Sequence, residues 1–212
     1  MAARRNPAAR ASIQSVLTGR AVWPSITKAA RSKPGRAFVA VPYFGKLGAR
    51  LLPISYGSRL VVNASADAVK AGQTSPAALL TLHRRGVKIF SCPRLHAKVY
   101  VFGSVAIVGS ANASGHSADG LVEAVVRSSD RPTVTAAREF VREMSRPLVP
   151  LGEEQLQALA KLYREPKLMF GRGAITTSAR SRGCDTGRAG AWCIRSGGHA
   201  EAVPEAWRYA SA

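Results

Sequence analysis

The sequence predicts an α/β domain, a mixed β-sheet flanked by helices, and three observations carry that expectation. Short apolar runs bounded by turn residues alternate with amphipathic segments through the first half of the chain, as parallel strands joined by helical crossovers do. Two later runs, "AKVYVFG" and "VAIVGSA", are separated only by a tight connection at Gly103 and Ser104. They are therefore expected to pair antiparallel and make the sheet mixed. Finally, 212 residues at 46% hydrophobic content suit one packed domain with tails rather than two domains.

The elements follow in order. "SITKAARSK" reads as a short helix that Ser25 can cap, closed by Pro34 and Gly35. "RAFVAVPYFG" is a short apolar run expected as a buried strand, followed by a helical turn at "KLGARLL" and a strand at "SRLVVNAS". "SPAALLTLHRRG" reads as an amphipathic helix with Pro76 in its first turn and Gly86 as its stop. "VKIFSC" is a third strand, and the hairpin comes next. "GLVEAVVRSS" is a further strand, "RPTVTAAREFVREMSRP" a helix, and "EEQLQALAKLYRE" a last amphipathic helix. Three segments result: a basic N-terminal arm over 1–22, a catalytic domain over 23–165, and a Gly/Arg/Ser-rich tail over 166–212. The tail lacks an apolar stripe and is expected to be disordered. No internal repeat is visible.

Charge narrows the partners. Thirty-one Lys and Arg against twelve Asp and Glu give a formal net charge of +19, a field that attracts polyanions, nucleic acid first among them. Three cysteines, Cys92, Cys184 and Cys193, form no Cys-x-x-Cys pair and no even set. That argues against a disulfide framework and makes a reducing cytoplasm the expected setting. Cys184, Cys193 and His199 match no zinc spacing, so their proximity is read as chance. The N-terminal "MAARRNPAARAS" has no apolar segment behind it and is not a secretory signal. Its Arg- and Ala-rich, acid-poor character fits a transit peptide and a flexible basic arm alike. No apolar run approaches the roughly 20 residues of a membrane-spanning helix.

The chemistry concentrates in "RLHAKVYVFGSVAIVGSANAS", Arg94 to Ser114. Side chains alternate along a strand, so His96 and Lys98 are expected to share a face at its start, and Ser110 and Asn112 a face at the end of the next. Glu123 follows in an otherwise apolar run, where an ionised carboxylate needs a partner such as an imidazole N–H. Such a set suits a phosphodiester. Lys98 and Asn112 offer donors to non-bridging oxygens, and a neutral imidazole can attack phosphorus to give a covalent intermediate. Glu123 can hold one ring nitrogen protonated and leave the other free. No carboxylate cluster of the kind that binds two metals is present, so a metal-free route without cofactors is the economical one.

"HAK", then "GSAN", then a downstream Glu resembles the phospholipase D superfamily, and in size and layout its small single-motif bacterial nucleases. The resemblance implies a phospholipase D-like fold with His96 as nucleophile, Lys98 and Asn112 as phosphate binders, Ser110 as a supporting hydrogen-bonding group, and Glu123 orienting the histidine. The family often has an Asp a few residues after the Lys; this chain has Gly103 near that place.

The reaction also needs an acid for the leaving oxygen. His83 reads as a helix-surface residue, His116 as a loop residue and His199 as part of the tail, so no second motif supplies it. By the same resemblance, a single-motif chain of this family completes its site by two-fold pairing, which implies a homodimer with His96 of each subunit at one composite site. Net charge favours DNA or RNA as substrate. Two alternatives stand beside the nuclease: a phospholipid phosphodiesterase or phosphatidyl transferase, and an inactive nucleic-acid-binding module.

Overall fold

The computed structural model describes residues 14–32 and 35–165. Seven strands form one sheet: β1 (Gln14–Thr18), β2 (Ala37–Ala40), β3 (Arg59–Val62), β4 (Lys88–Ser91), β5 (Val99–Phe102), β6 (Val105–Gly109) and β7 (Ala124–Ser128). Their spatial order is β1-β7-β6-β5-β2-β3-β4. The run β2-β3-β4 is parallel, and every other pairing is antiparallel. The mixed sheet read from the sequence is thus observed.

Helices α1 (Val22–Ser32), α2 (Gly48–Leu51), α3 (Ala66–Lys70), α4 (Pro76–Arg84), α5 (Gly115–Asp119), α6 (Arg131–Ser145) and α7 (Glu153–Leu162), with a 3₁₀ turn at Gly19–Ala21, are the helical elements of the described residues. The period-2 alternation of the strands decides the layers. Val39, Leu60, Ile89, Tyr100, Phe102, Ile107 and Val125 point to one face and meet Val22 and Ile26 of α1, Leu79 and Leu82 of α4, and Leu156 of α7. Phe38, Ala40, Val61, Phe90, Val101 and Ala106 point to the other, where Val134 and Val141 of α6 cover them. Arg138 and Arg142 of α6 lie over the Phe38 ring at 5.8 and 5.1 Å, so these cations serve packing.

Local chemistry explains the boundaries. The Ser75 side chain accepts from Ala78 N at the start of α4, with Pro76 in the first turn. Asp130 caps α6 through Thr133 N at 3.0 Å, and those hydrogen bonds hold its carboxyl below the ordinary carboxylate range. The β5–β6 hairpin turns at Gly103, whose φ of 53° lies in the region glycine favours.

Four boundaries differ from the sequence reading. β1 lies inside the stretch read as a basic arm, because its five residues find a partner in β7 far along the chain. α1 begins at Val22, so Ser25 sits within it and does not cap it. The short helices α3 and α5 occupy stretches without enough periodicity to signal a helix. The expectations for residues 1–13 and for the tail, including Cys184, Cys193 and His199, lie outside the described residues.

Candidate active site

β5 starts, β6 ends and β7 starts at the same edge of the sheet, which is also the carboxyl end of the parallel strands β2, β3 and β4. In sheets of this kind that end is where ligands bind. The five candidate residues flank these strand ends. His96 and Lys98 precede β5 rather than lie within it: the strand begins at Val99, and Lys98 is joined to β6 through its carbonyl, which accepts from Gly109 N at 3.2 Å. Ser110 and Asn112 follow β6, and Glu123 immediately precedes β7.

Gly109 makes this convergence possible. A Cβ there would press on the Ala124 carbonyl oxygen and sit 2.6 Å from Val125 Cα, so only glycine lets β6 and β7 approach closely enough. The close approach lets Ser110 N donate to Ala124 O at 3.0 Å and Ala124 N donate to Ser110 Oγ at 3.0 Å.

Lys98 and His96 are in direct contact. The Lys98 ammonium donates to the His96 carbonyl at 2.8 Å and lies 3.2 Å from His96 Nε2. A cationic amine can only donate, so this contact makes Nε2 the nitrogen with the lone pair and leaves the ring proton on Nδ1. Burial pulls the Lys98 pKa below its ordinary 10.5, and the negative charge of Glu123 partly opposes that shift.

Glu123 is buried, 4% exposed, in a run of otherwise apolar residues. The structure corrects its expected partner. One carboxylate oxygen accepts from Ser110 Oγ and the other from Ser117 Oγ at 2.5 Å, and no His96–Glu123 hydrogen bond is formed. Two hydroxyls satisfy the carboxylate because the strand ends set both serines beside it, whereas His96 sits outward and exposed beyond Lys98.

Three residues that the sequence reading did not single out organise this arrangement. Ser117, 1% exposed, receives hydrogen bonds from Asn112 N at 3.0 Å and Trp23 Nε1 at 3.2 Å while donating to Glu123. Tyr100, fully buried, donates to Ala111 O at 2.6 Å and so pins the link between Ser110 and Asn112. Burial first, and Glu123 second, push its phenol well above 10.0, so it remains a donor. The Ser114-x-x-Ser117 spacing was the available signal: Ser114 caps α5 by accepting from Ser117 N at 3.2 Å. Trp23 and Tyr100, an edge-to-face pair at 6.1 Å, carried no sequence signal beyond being apolar.

The Asn112 carboxamide oxygen is buried without a hydrogen-bond partner among the described residues. An orphan acceptor of this kind costs about 1–3 kcal/mol and is a usual mark of a place completed by solvent or ligand. Also among the described residues, no three His, Cys, Asp or Glu side chains gather as a metal site. His116 lies on α5, exposed, and His83 on α4, half-buried.

Residues 57–146, which contain all five candidate residues, match the family model described as cardiolipin synthase, PLD-like domain. The fold resembles that of NucT from Helicobacter pylori, with a TM-score of 0.54 at 16% identity over 66% of this chain and 99% of that one. It equally resembles Nuc from Salmonella typhimurium, a phospholipase D family member, with a TM-score of 0.53 at 14% identity over the same shares. No curated protein matches the sequence. The fold, the family match over residues 57–146 and the His-x-Lys and Gly-Ser-x-Asn residues gathered at one sheet end agree, and this part of the chain is similar to the PLD-like domain.

Proposed function

We propose that the protein is a nuclease that hydrolyses DNA or RNA phosphodiester bonds through a phosphohistidine on His96. The observation that carries this reading is the contact of Lys98 Nζ with His96 Nε2, 3.2 Å, at the sheet end that also holds Ser110, Asn112 and Glu123. When Lys98 turns from Nε2 to a non-bridging oxygen of the substrate, the freed lone pair of His96 Nε2 attacks phosphorus, the bond from phosphorus to the leaving oxygen breaks, and an acid protonates that oxygen. Water then attacks the phosphohistidine, returns the phosphate monoester and frees the ring. Lys98 steadies the non-bridging oxygens as charge develops, and the carboxamide NH₂ of Asn112 supplies a second donor. Glu123 acts through Ser110 and Ser117 as a positioning residue. The formal net charge of +19 supports nucleic acid over lipid.

The acid comes from a second copy, whose own His96 faces the first across a two-fold axis. Two observations support this composite homodimer. The chain carries a single His-x-Lys motif. Beside the site, one sheet face is bare: Val16, Val126 and Val108 lie opposite one another across β1, β7 and β6 and are 70%, 48% and 41% exposed. Val122 and Leu121, 94% and 47% exposed, extend this apolar surface to Glu123.

The test incubates the protein with plasmid, single-stranded RNA and phosphatidylcholine in excess EDTA, beside His96→Ala. Nucleic-acid cleavage that falls at least about 10³-fold in the variant is expected. Binding without turnover, headgroup release from lipid instead, or cleavage abolished by EDTA would overturn the reading as stated. Sedimentation of the active species is expected to show a dimer.

A further inference from the structure

A cleft of about 760 Å³ runs along the outer side of α1, separate from the five residues of the active site. Its lining includes Arg20, Lys28 and Arg31, with Trp23 and Leu51 in its apolar part and Asp119 on the opposite wall. Pro24, Lys28 and Arg31 follow at four- and three-residue intervals, so they rise along one side of α1, and Arg20 stands in the 3₁₀ turn that leads into it. At about 1.5 Å per residue the row from Arg20 to Arg31 spans roughly 16 Å. Among the described residues none of these three cations takes part in an ion pair, whereas Arg84, Arg142 and Arg146 are held by Glu153 or Glu139. The cleft therefore presents three unneutralised cations against one carboxylate.

Its position is informative. Ala118 and Asp119 of its wall sit on α5 directly after Ser117. Trp23, also in the lining, donates its indole N–H to that same Ser117, which in turn donates to Glu123. One end of the cation row thus begins beside the active site, since Gly19 N, next to Arg20, donates to the Glu123 carbonyl at 2.7 Å. The row then descends along α1, away from the sheet end.

We infer that this cleft is a binding subsite for the sugar-phosphate backbone of a nucleic-acid strand leaving the active site, with Arg20, Lys28 and Arg31 engaging successive phosphates. The inference rests on the nuclease reading for what lies in the site and goes beyond it in saying where the rest of the strand runs. Exposed lysine and arginine in a row suit a repeating anion without selecting its bases, so the subsite adds affinity and direction but no sequence preference.

The test uses the full chain and a labelled single-stranded oligonucleotide, with binding followed by fluorescence anisotropy across a salt series. Lys28→Glu/Arg31→Glu is compared with Lys70→Glu/Lys161→Glu, which removes equal charge from exposed positions on α3 and α7. The cleft pair is expected to weaken binding about ten-fold or more and to flatten the salt dependence by one to two phosphate contacts, the control pair by less than about three-fold. Turnover is read on the oligonucleotide and on bis(p-nitrophenyl) phosphate, and the ratio of the two is expected to fall in the cleft pair alone. The milder Lys28→Gln/Arg31→Gln pair, checked by circular dichroism, should shift binding in the same direction. Equal weakening by both charge-reversed pairs, or none by the cleft pair, would overturn the subsite. So would loss of binding to phosphatidylglycerol vesicles with oligonucleotide binding intact, which would assign the cleft to a membrane surface. A native protein that binds the oligonucleotide through the cleft but cleaves no nucleic acid would sink the nuclease reading while leaving the subsite standing.

Discussion

The two halves of the sheet use the same apolar alphabet and treat it differently. In the parallel half every residue of β2 is buried, since α1 and its neighbours lie on one face and α6 on the other. Strands clad on both faces are expected to be apolar, as β2 is throughout, while β3 and β4 carry polar residues only at their ends. In the antiparallel half, Val125 is 2% exposed while Val126 beside it is 48% exposed, since α6 packs chiefly on β2, β3, β5 and β6. An antiparallel sheet with one solvated face ordinarily alternates apolar with polar, yet here valines occupy solvent-facing positions on β1, β6 and β7. The uncovered strands are also those whose ends carry Ser110, Asn112 and Glu123, beside His96 and Lys98 at the start of the covered β5. Apolar residues that one copy leaves exposed beside the candidate site are what the proposed composite dimer would cover.

Two substitutions on the same face put the comparison to its hardest test. Val101→Asp buries an unpaired carboxylate under α6 at a position with 0% exposure, and an expected loss of about 4–5 kcal/mol by urea denaturation leaves little folded protein. Val126→Asp stands on the bare half. The monomer's stability should change by no more than about 0.5 kcal/mol, since nothing in one copy packs there. Sedimentation should show the dimer lost, and turnover should fall at least about 100-fold because the second histidine is gone. A Val126→Asp protein that remains a fully active dimer would place the partner elsewhere.

The same contrast explains what could be read in the sequence. The strands of the covered half, and the helices that cover them, announce themselves by apolar runs, periodicity and caps such as Ser75 and Pro76. The candidate site was legible because His96, Lys98, Ser110, Asn112 and Glu123 interrupt apolar runs that would otherwise read as plain strands. What escaped was long-range. β1 is five residues whose partner is β7, a pairing no local signal records. The Glu123 partner was misjudged for a similar reason: local pattern offered an imidazole, while the fold supplied Ser110 and Ser117, the latter held by Trp23 from the far end of the domain. Strand phase also failed to carry His96 and Lys98 into the sheet, because β5 starts after them.

Smaller effects sharpen the picture inside the site. Tyr100→Phe removes the hydrogen bond to Ala111 O, a carbonyl in a fully buried residue, and should cost about 1–2 kcal/mol in thermal or urea denaturation. The larger consequence is for turnover, since Ser110 and Asn112 flank that carbonyl. Activity should fall more with Tyr100→Phe than with Val105→Ala, a substitution in the same sheet that makes no contact with the link between the two residues.

The smallest expected effect concerns pH. Lys98 must be cationic to donate to His96 and to phosphate, so kcat/KM should fall as pH rises through the Lys98 pKa. Burial lowers that pKa below 10.5, which brings the alkaline limb to a lower pH than an ordinary lysine would give. Tyr100, held well above 10.0, stays protonated throughout and does not contribute to the limb. The charge of Glu123 raises the Lys98 pKa, so Glu123→Gln, which keeps an acceptor for one of the serines, removes that support. Its alkaline limb should therefore move still further toward neutral pH. Lys98→Arg should move the limb the other way, because a guanidinium stays charged across the range. A Glu123→Gln profile whose limb stays where the native one lies would mean that the carboxylate does not act on Lys98 in the working enzyme.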